Sequence, residues 1–237
     1  MGIFSGKKTT DDLVVTDYVN SDSSAVLEQT GPTAKFLVLA LDKAAGIQSG
    51  TIFKYVQWLS KRNASATPAQ MQQLLDKHFL HTVTGSGAAA GVTAALPGVG
   101  FVAGAAAVGV ESLVFLDAAV IYALSSAHLR GIDVSNPERR KAIVLLAVLG
   151  AEGTALADAS ITNPTKILAK SSTSRLTEFN TYLFKLATKR ISKSMRMAWL
   201  GKLMPLGLGA VLGSMANRKI GKNLVDHISD GLGALPE

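Results

Sequence analysis

From Thr67 onward, apolar residues recur at helical spacing, and polar residues beside prolines mark where the runs begin. Thr67-Pro68-Ala69-Gln70 supplies a hydroxyl N-cap, proline at N1 and glutamine at N3, the pattern of a capping box. Leu74, Leu75, Phe79 and Leu80 follow it on one stripe. Ser135-Asn136-Pro137-Glu138 repeats the pattern, with Ser135 as cap and Glu138 at N3, ahead of Ile143, Leu146, Ala147 and Gly150. Asn163-Pro164 marks another start, and Leu176, Phe179, Leu183 and Leu186 form a later stripe. Strand alternation is confined to the short stretch Leu13–Thr16. The pattern predicts an all-α fold, a bundle of six to eight helices.

Two stretches depart from an amphipathic bundle. Gly85 to Val110 runs 26 residues without a charge, holds seven glycines, and is broken at Leu96-Pro97-Gly98. Leu203 to Ala216 is also uncharged and is broken at Pro205. Glycines recur as G-x-G-x-x-x-G at Gly85, Gly87 and Gly91, at Gly98, Gly100 and Gly104, and at Gly207, Gly209 and Gly213. A dinucleotide loop would need a preceding strand, but His78-Phe79-Leu80-His81 follows a helix start and the glycines sit among alanines. Glycines four apart instead let helix backbones approach closely. These stretches read as Gly/Ala-rich helical hairpins turning at Pro97 and Pro205.

Neither stretch spans a membrane comfortably. The large apolar residues of 85–110 are together worth roughly −3 kcal/mol for insertion, and glycines and Pro97 oppose it. Residues 203–216 are shorter than the ~20 needed to cross. Lysines and arginines flank both stretches on both sides, which predicts that both ends stay cytoplasmic. A hairpin that dips into the membrane and returns fits this pattern. A soluble bundle that buries both hairpins is the rival.

Charge sharpens the picture. The net charge is +7, and residues 159–225 hold 12 Lys/Arg against the single acid Glu178. Lys185, Lys189, Lys193 and Arg196 lie beside an apolar stripe of Phe179, Tyr182, Leu183, Leu186 and Met197, with Arg190 falling into its centre, as on an interfacial helix over anionic lipid; a core helix with a solvated basic flank is the alternative. The expected partner is therefore an anionic membrane surface or a membrane protein, with a homo-oligomer open. Nucleic acid is not expected, because no recognition motif accompanies the charge. Residues 1–31, interrupted by Asp11, Asp12, Asp17, Asp22 and Glu28, read as a flexible polar arm. Residues 32–237 read as one domain. No secretory signal is evident, so a cytoplasmic location at the inner face of the membrane is expected.

Residues 84–153 combine a Gly-rich entry, a Pro-Gly turn, an acid-bearing helix, a His-x-x-Gly-x-Asp segment and an Asn-Pro-Glu-Arg start. This stretch resembles the bacterial EcsC family at Gly85, Pro97, Gly98, Glu111, Tyr122, Gly131, Asp133, Pro137 and Gly150. Pro205, Gly209, Gly213 and Asn217 resemble that family's second Gly-rich block. The resemblance implies packing and turn residues rather than catalytic ones. The family has no established activity, and its name comes from a gene linked to an ABC-transporter operon.

Candidate chemistry is thin. The chain has no cysteine, which excludes disulfides and thiolate sites. Glu111 and Asp117 lie on the least polar helix, where an acid is costly unless paired. A counter-charge from a helix N-terminus or from residues 159–225 is the expected explanation. An acidic pocket of Glu111, Asp117 and Glu152 in a soluble enzyme or ligand-binder is the alternative. His78 and His81 are three apart, but no third ligand is placed, and neither metal nor cofactor is expected. The sequence thus points to a membrane-associated, non-enzymatic accessory protein.

Overall fold

The computed structural model describes residues 32–94, 100–150, 168–202 and 209–236, with side chains for 37–85, 114–150, 168–188 and 217–236. All regular structure among the described residues is helical. The helices are α1 (Pro32–Gly46), α2 (Ser49–Arg62), α3 (Pro68–Ala94), α4 (Gly100–Leu129), α5 (Pro137–Leu149), α6 (Thr173–Lys202) and α7 (Gly209–Leu232). The all-α bundle predicted from periodicity is the observed fold.

The core forms around α5. From Ala142 on this short helix is apolar on every side, so that part is stable only when surrounded. Ala142, Ile143, Val144, Leu145, Leu146, Ala147 and Leu149 are all buried. Helices α6, α1, α7 and α4 pack around it. Leu37 and Leu41 of α1, Leu124 of α4 and Leu176, Leu183 and Phe184 of α6 complete this layer. A second layer consists of α3 packed between α4 and α7. Leu75, Phe79 and Val83 form its inward stripe.

Local chemistry sets the helix ends. The capping box at α3 forms as the sequence predicts: Thr67 N–H donates to Gln70 Oε1 at 2.9 Å, and Gln70 N–H donates to Thr67 Oγ1 at 3.3 Å. At α5 the cap is Asn136, one residue later than the pattern suggested. Its Oδ1 accepts from the N–H groups of Glu138 (2.8 Å) and Arg139 (3.1 Å). Ser135 is withdrawn because its own N–H and hydroxyl both bond the Asp133 carboxylate at 2.8 Å. Pro137 then takes N1, where its fixed φ and missing N–H cost least.

Helix α4 ends in a Schellman motif: Ile132 N–H donates to Ala127 O and Gly131 N–H to His128 O, with Gly131 at φ 73°. That left-handed position explains Gly131.

Candidate functional site

Contacts along α3 define how the two uncharged segments stand. On α7, Asn217 Nδ2 bonds Val83 O at 3.4 Å, while Gly221 faces Leu80, Val83 and Phe79. As α7 numbers rise, α3 numbers fall, so these helices are antiparallel. Helix α4 is also antiparallel to α3: Tyr122 stacks on Phe79 at 4.5 Å between ring centroids, and Ser126 lies against Gln72. Arg130 Nε reaches Gly233 O at 2.7 Å, which brings the C-terminal ends of α4 and α7 together. The opposite end of this trio therefore gathers the last turns of α3 with the first turns of α4 and α7. Those turns are the helical parts of the two charge-free segments. At 1.5 Å per residue, residues 85–94 extend about 15 Å, 100–110 about 16 Å and 209–216 about 12 Å.

The hairpin positions divide accordingly. Gly87 and Gly91 lie in α3, Gly100 and Gly104 in α4, and Gly209 and Gly213 in α7. Pro97, Gly98 and Pro205 fall outside the described residues. Gly85 is exposed, and a side chain added there would meet nothing within 4 Å among the described residues. Among the described residues, close helix contacts occur at two glycines the spacing did not single out. A Cβ on Gly231 would stand 2.6 Å from Leu146 O, and one on Gly221 would stand 3.1 Å from Leu80 and Val83 methyls.

Of the three acidic candidates, Asp117 is the one whose side chain is described. Asp117 is half-exposed, with both carboxylate oxygens 2.9 Å from Lys43 Nζ of α1. The expected counter-charge from residues 159–225 is thus replaced by a lysine of α1, and the expected burial by partial exposure. Lys43 stands near the end of α1, and Asp117 near the middle of α4. Glu111 lies in α4, and Glu152 falls outside the described residues.

A polar cluster the sequence reading missed sits at the other end of α3. Tyr122 donates to Asp76 Oδ1 at 2.6 Å, and Gln72 Nε2 bonds Asp76 at 2.8 Å and Ser126 Oγ at 3.0 Å. Arg130 Nη1 bonds Gln72 Oε1 at 2.8 Å. Burial, and then the bond and charge of Asp76, push the Tyr122 hydroxyl far above its ordinary range, so it stays a donor. Donors and acceptors are matched within the cluster, which ties α3, α4 and the chain after α7 into one unit. Tyr122 was legible as a position resembling the EcsC family, but its partners lie 46 and 50 residues away.

The basic region divides in two. Leu176, Phe179, Leu183 and Ala187 of α6 are buried against the core, so this part of the stripe is covered by protein rather than available to lipid. Lys185 lies on the exposed side, and Lys189, Arg190, Lys193 and Arg196 continue along the same helix. On α7, Arg218, Lys219, Ile220 and Lys222 are exposed just beyond its charge-free turns. His78 bonds Tyr55 through Nδ1 (3.1 Å), and His128 packs edge-on against Phe53. No cluster of three metal-ligating side chains occurs among the described residues. Among the same residues no helix is long and apolar enough to cross a membrane. Comparison with family models, with curated proteins and with solved structures finds no match to this chain.

Proposed function

We propose that this protein is a membrane-associated, non-enzymatic accessory protein of the cytoplasmic face, related to the EcsC family. It attaches by dipping the charge-free end of the α3–α4–α7 trio into one leaflet. The observation that carries this reading is the convergence of two uncharged, Gly-rich segments at one end of the trio. Their helical depth of about 15 Å matches half of a hydrocarbon core about 30 Å thick. Arg218, Lys219 and Lys222 begin where the uncharged turns of α7 stop, at the level where anionic headgroups would lie. Lys189, Arg190, Lys193 and Arg196 add cationic charge to the same chain half. An acidic catalytic pocket is less well supported, because the Asp117 carboxylate is already engaged by Lys43.

Flotation with vesicles tests this. The chain should float with vesicles containing about a quarter phosphatidylserine. Part of it should stay bound in about 1 M salt, where surface charge is screened within about 3 Å, and detergent should release that part. Recovery of all the protein at the bottom of the gradient at low salt would refute the reading.

A further inference from the structure

Helix α2 carries a face that its own core contacts do not explain. Ile52, Val56 and Leu59 anchor the helix in the core. On the outer side Phe53 is 41% and Trp58 42% exposed, among the most exposed large apolar residues described. Lys54, Lys61 and Arg62 share that side and are exposed as well. Residues 49–62 contain three bases and no acid.

The aromatic groups are held in place rather than free. The Arg62 guanidinium lies 4.5 Å over the Trp58 ring. Tyr55 stacks on Trp58 at 6.3 Å between centroids, and its hydroxyl is hydrogen-bonded to His78 Nδ1 at 3.1 Å. Phe53 is braced edge-on by His128 at 4.6 Å. A shallow groove of about 510 Å³ continues the face into the α2–α3 turn, between Arg62 and Lys77, with Asn63, Ser65, Gln70 and Gln73 along it. The groove has two cations and several amide or hydroxyl groups on its walls, and no carboxylate.

We infer that the outer face of α2, with this groove, is a docking surface for an acidic peptide segment of a partner protein. Charge complementarity chooses the partner: cations without a local acid repel basic surfaces and attract carboxylates. Tryptophan, tyrosine and arginine, pre-ordered and half-exposed, are the side chains that carry most of the energy at protein interfaces. The occupant must therefore present carboxylates with an apolar residue between them, to seat on Trp58 and Phe53. Position argues against lipid as the occupant. His78 lies about 10 Å along α3 from Gly85, where the charge-free stretch begins, and His128 about 27 Å along α4 from Val110. A face at that height looks into water when the other end enters a leaflet. The docking itself does not depend on membrane attachment, and its test uses no lipid.

The test follows the anisotropy of a fluorescein-labelled peptide made of two Asp-Asp-Phe-Asp-Asp-Leu repeats as the full chain is added. Saturable binding is expected. Trp58→Ala and the pair Lys61→Glu with Arg62→Glu should each weaken it roughly tenfold or more. Raising salt from about 50 to about 500 mM should weaken it too, since exposed charges are screened. The variants alter exposed positions, and unchanged circular dichroism verifies their folding. A peptide with lysine in place of every aspartate should not bind. Absence of binding by the acidic peptide, or binding that both variants leave unchanged, would overturn the proposal. So would a uridine oligonucleotide or an anionic vesicle that needs Trp58 and Arg62 while the acidic peptide does not.

Discussion

Arg140 is charged, central and only 5% exposed, and four backbone carbonyls keep it there. Its Nε bonds Ala44 O at 2.6 Å, Nη2 bonds Ala45 O, and Nη1 bonds Val134 O and Ser135 O at 3.0 and 2.7 Å. Two of those carbonyls end α1, where the helix dipole is negative and the last C=O groups lack helical partners. A planar fork of donors suits such a site, and an ammonium cannot span it. Arg140→Ala should therefore cost about 3 kcal/mol or more in urea unfolding, with Arg140→Lys recovering only part. Asp117→Asn should behave oppositely. Its pair with Lys43 is half-exposed on both sides, so the loss should stay below about 1 kcal/mol. A loss of several kcal/mol would mean that Asp117 is buried in solution. Asp133 gives the pH dependence. Its bond from the Ser135 N–H, helped by the Ser135 hydroxyl and by Arg139, holds its carboxyl below the ordinary 3.8. A carboxylate with a depressed native pKa stabilises above its unfolded pKa, and that contribution disappears as pH falls through the native one. Below about pH 4 the wild type should lose stability more steeply than Asp133→Asn, which urea titrations at several pH values would show.

At the scale of helices, what could be read in advance was what neighbours in sequence decide. The Thr67–Gln70 box is four residues long, and it forms as read. The start of α5 was misplaced by one residue because Asp133, outside the pattern considered, takes the Ser135 hydroxyl. The buried stripe of α6 was legible as a stripe, but whether protein or lipid covers it is decided by α5, some thirty residues earlier. The face of α2 was overlooked, although Trp58 and Arg62 at i, i+4 on a helix without acids offered a signal. Of the glycines the spacing singled out, Gly85 meets nothing within 4 Å among the described residues, while Gly221 and Gly231, which it did not single out, lie where α7 approaches α3 and α5. An alanine series should separate these cases by thermal melting. Gly85→Ala should be neutral or stabilising by up to about 1 kcal/mol, since only helix propensity changes. Gly221→Ala meets side-chain methyls at 3.1 Å and should cost little. Gly231→Ala meets the Leu146 carbonyl, a backbone atom at 2.6 Å that has no rotamer to change. It should lose about 1–3 kcal/mol. Equal melting of all three would mean that α7 does not approach α5 this closely.

On the scale of the whole molecule, the two ends of the α3–α4–α7 trio are built from opposite materials. One end is locked by Asp76, Tyr122, Gln72 and Arg130, whose bonds leave little freedom for the helices to slide. The other end, built from 85–94, 100–110 and 209–216, has no charged residue and, apart from Ser86, Thr93 and Ser214, only alanine, glycine and scattered larger apolar residues. A polar lock at one end sets the register of all three helices, so it also sets the depth to which the other end can reach. That depth is measurable, because the chain has no cysteine and a single one can be introduced anywhere for labelling. An environment-sensitive dye at Ala94→Cys should shift to shorter wavelength on anionic vesicles and be quenched by lipids brominated near mid-chain. The same dye at Lys77→Cys, about 26 Å further along α3, should report water throughout. At Lys222→Cys it should report the headgroup region or water, with no mid-chain quenching. A dye at Ala94 that stays in a polar environment on vesicles would show that this end does not enter lipid, even if the protein floats. Quenching at Lys77 as strong as at Ala94 would show that the trio lies flat on the surface rather than dipping end-on.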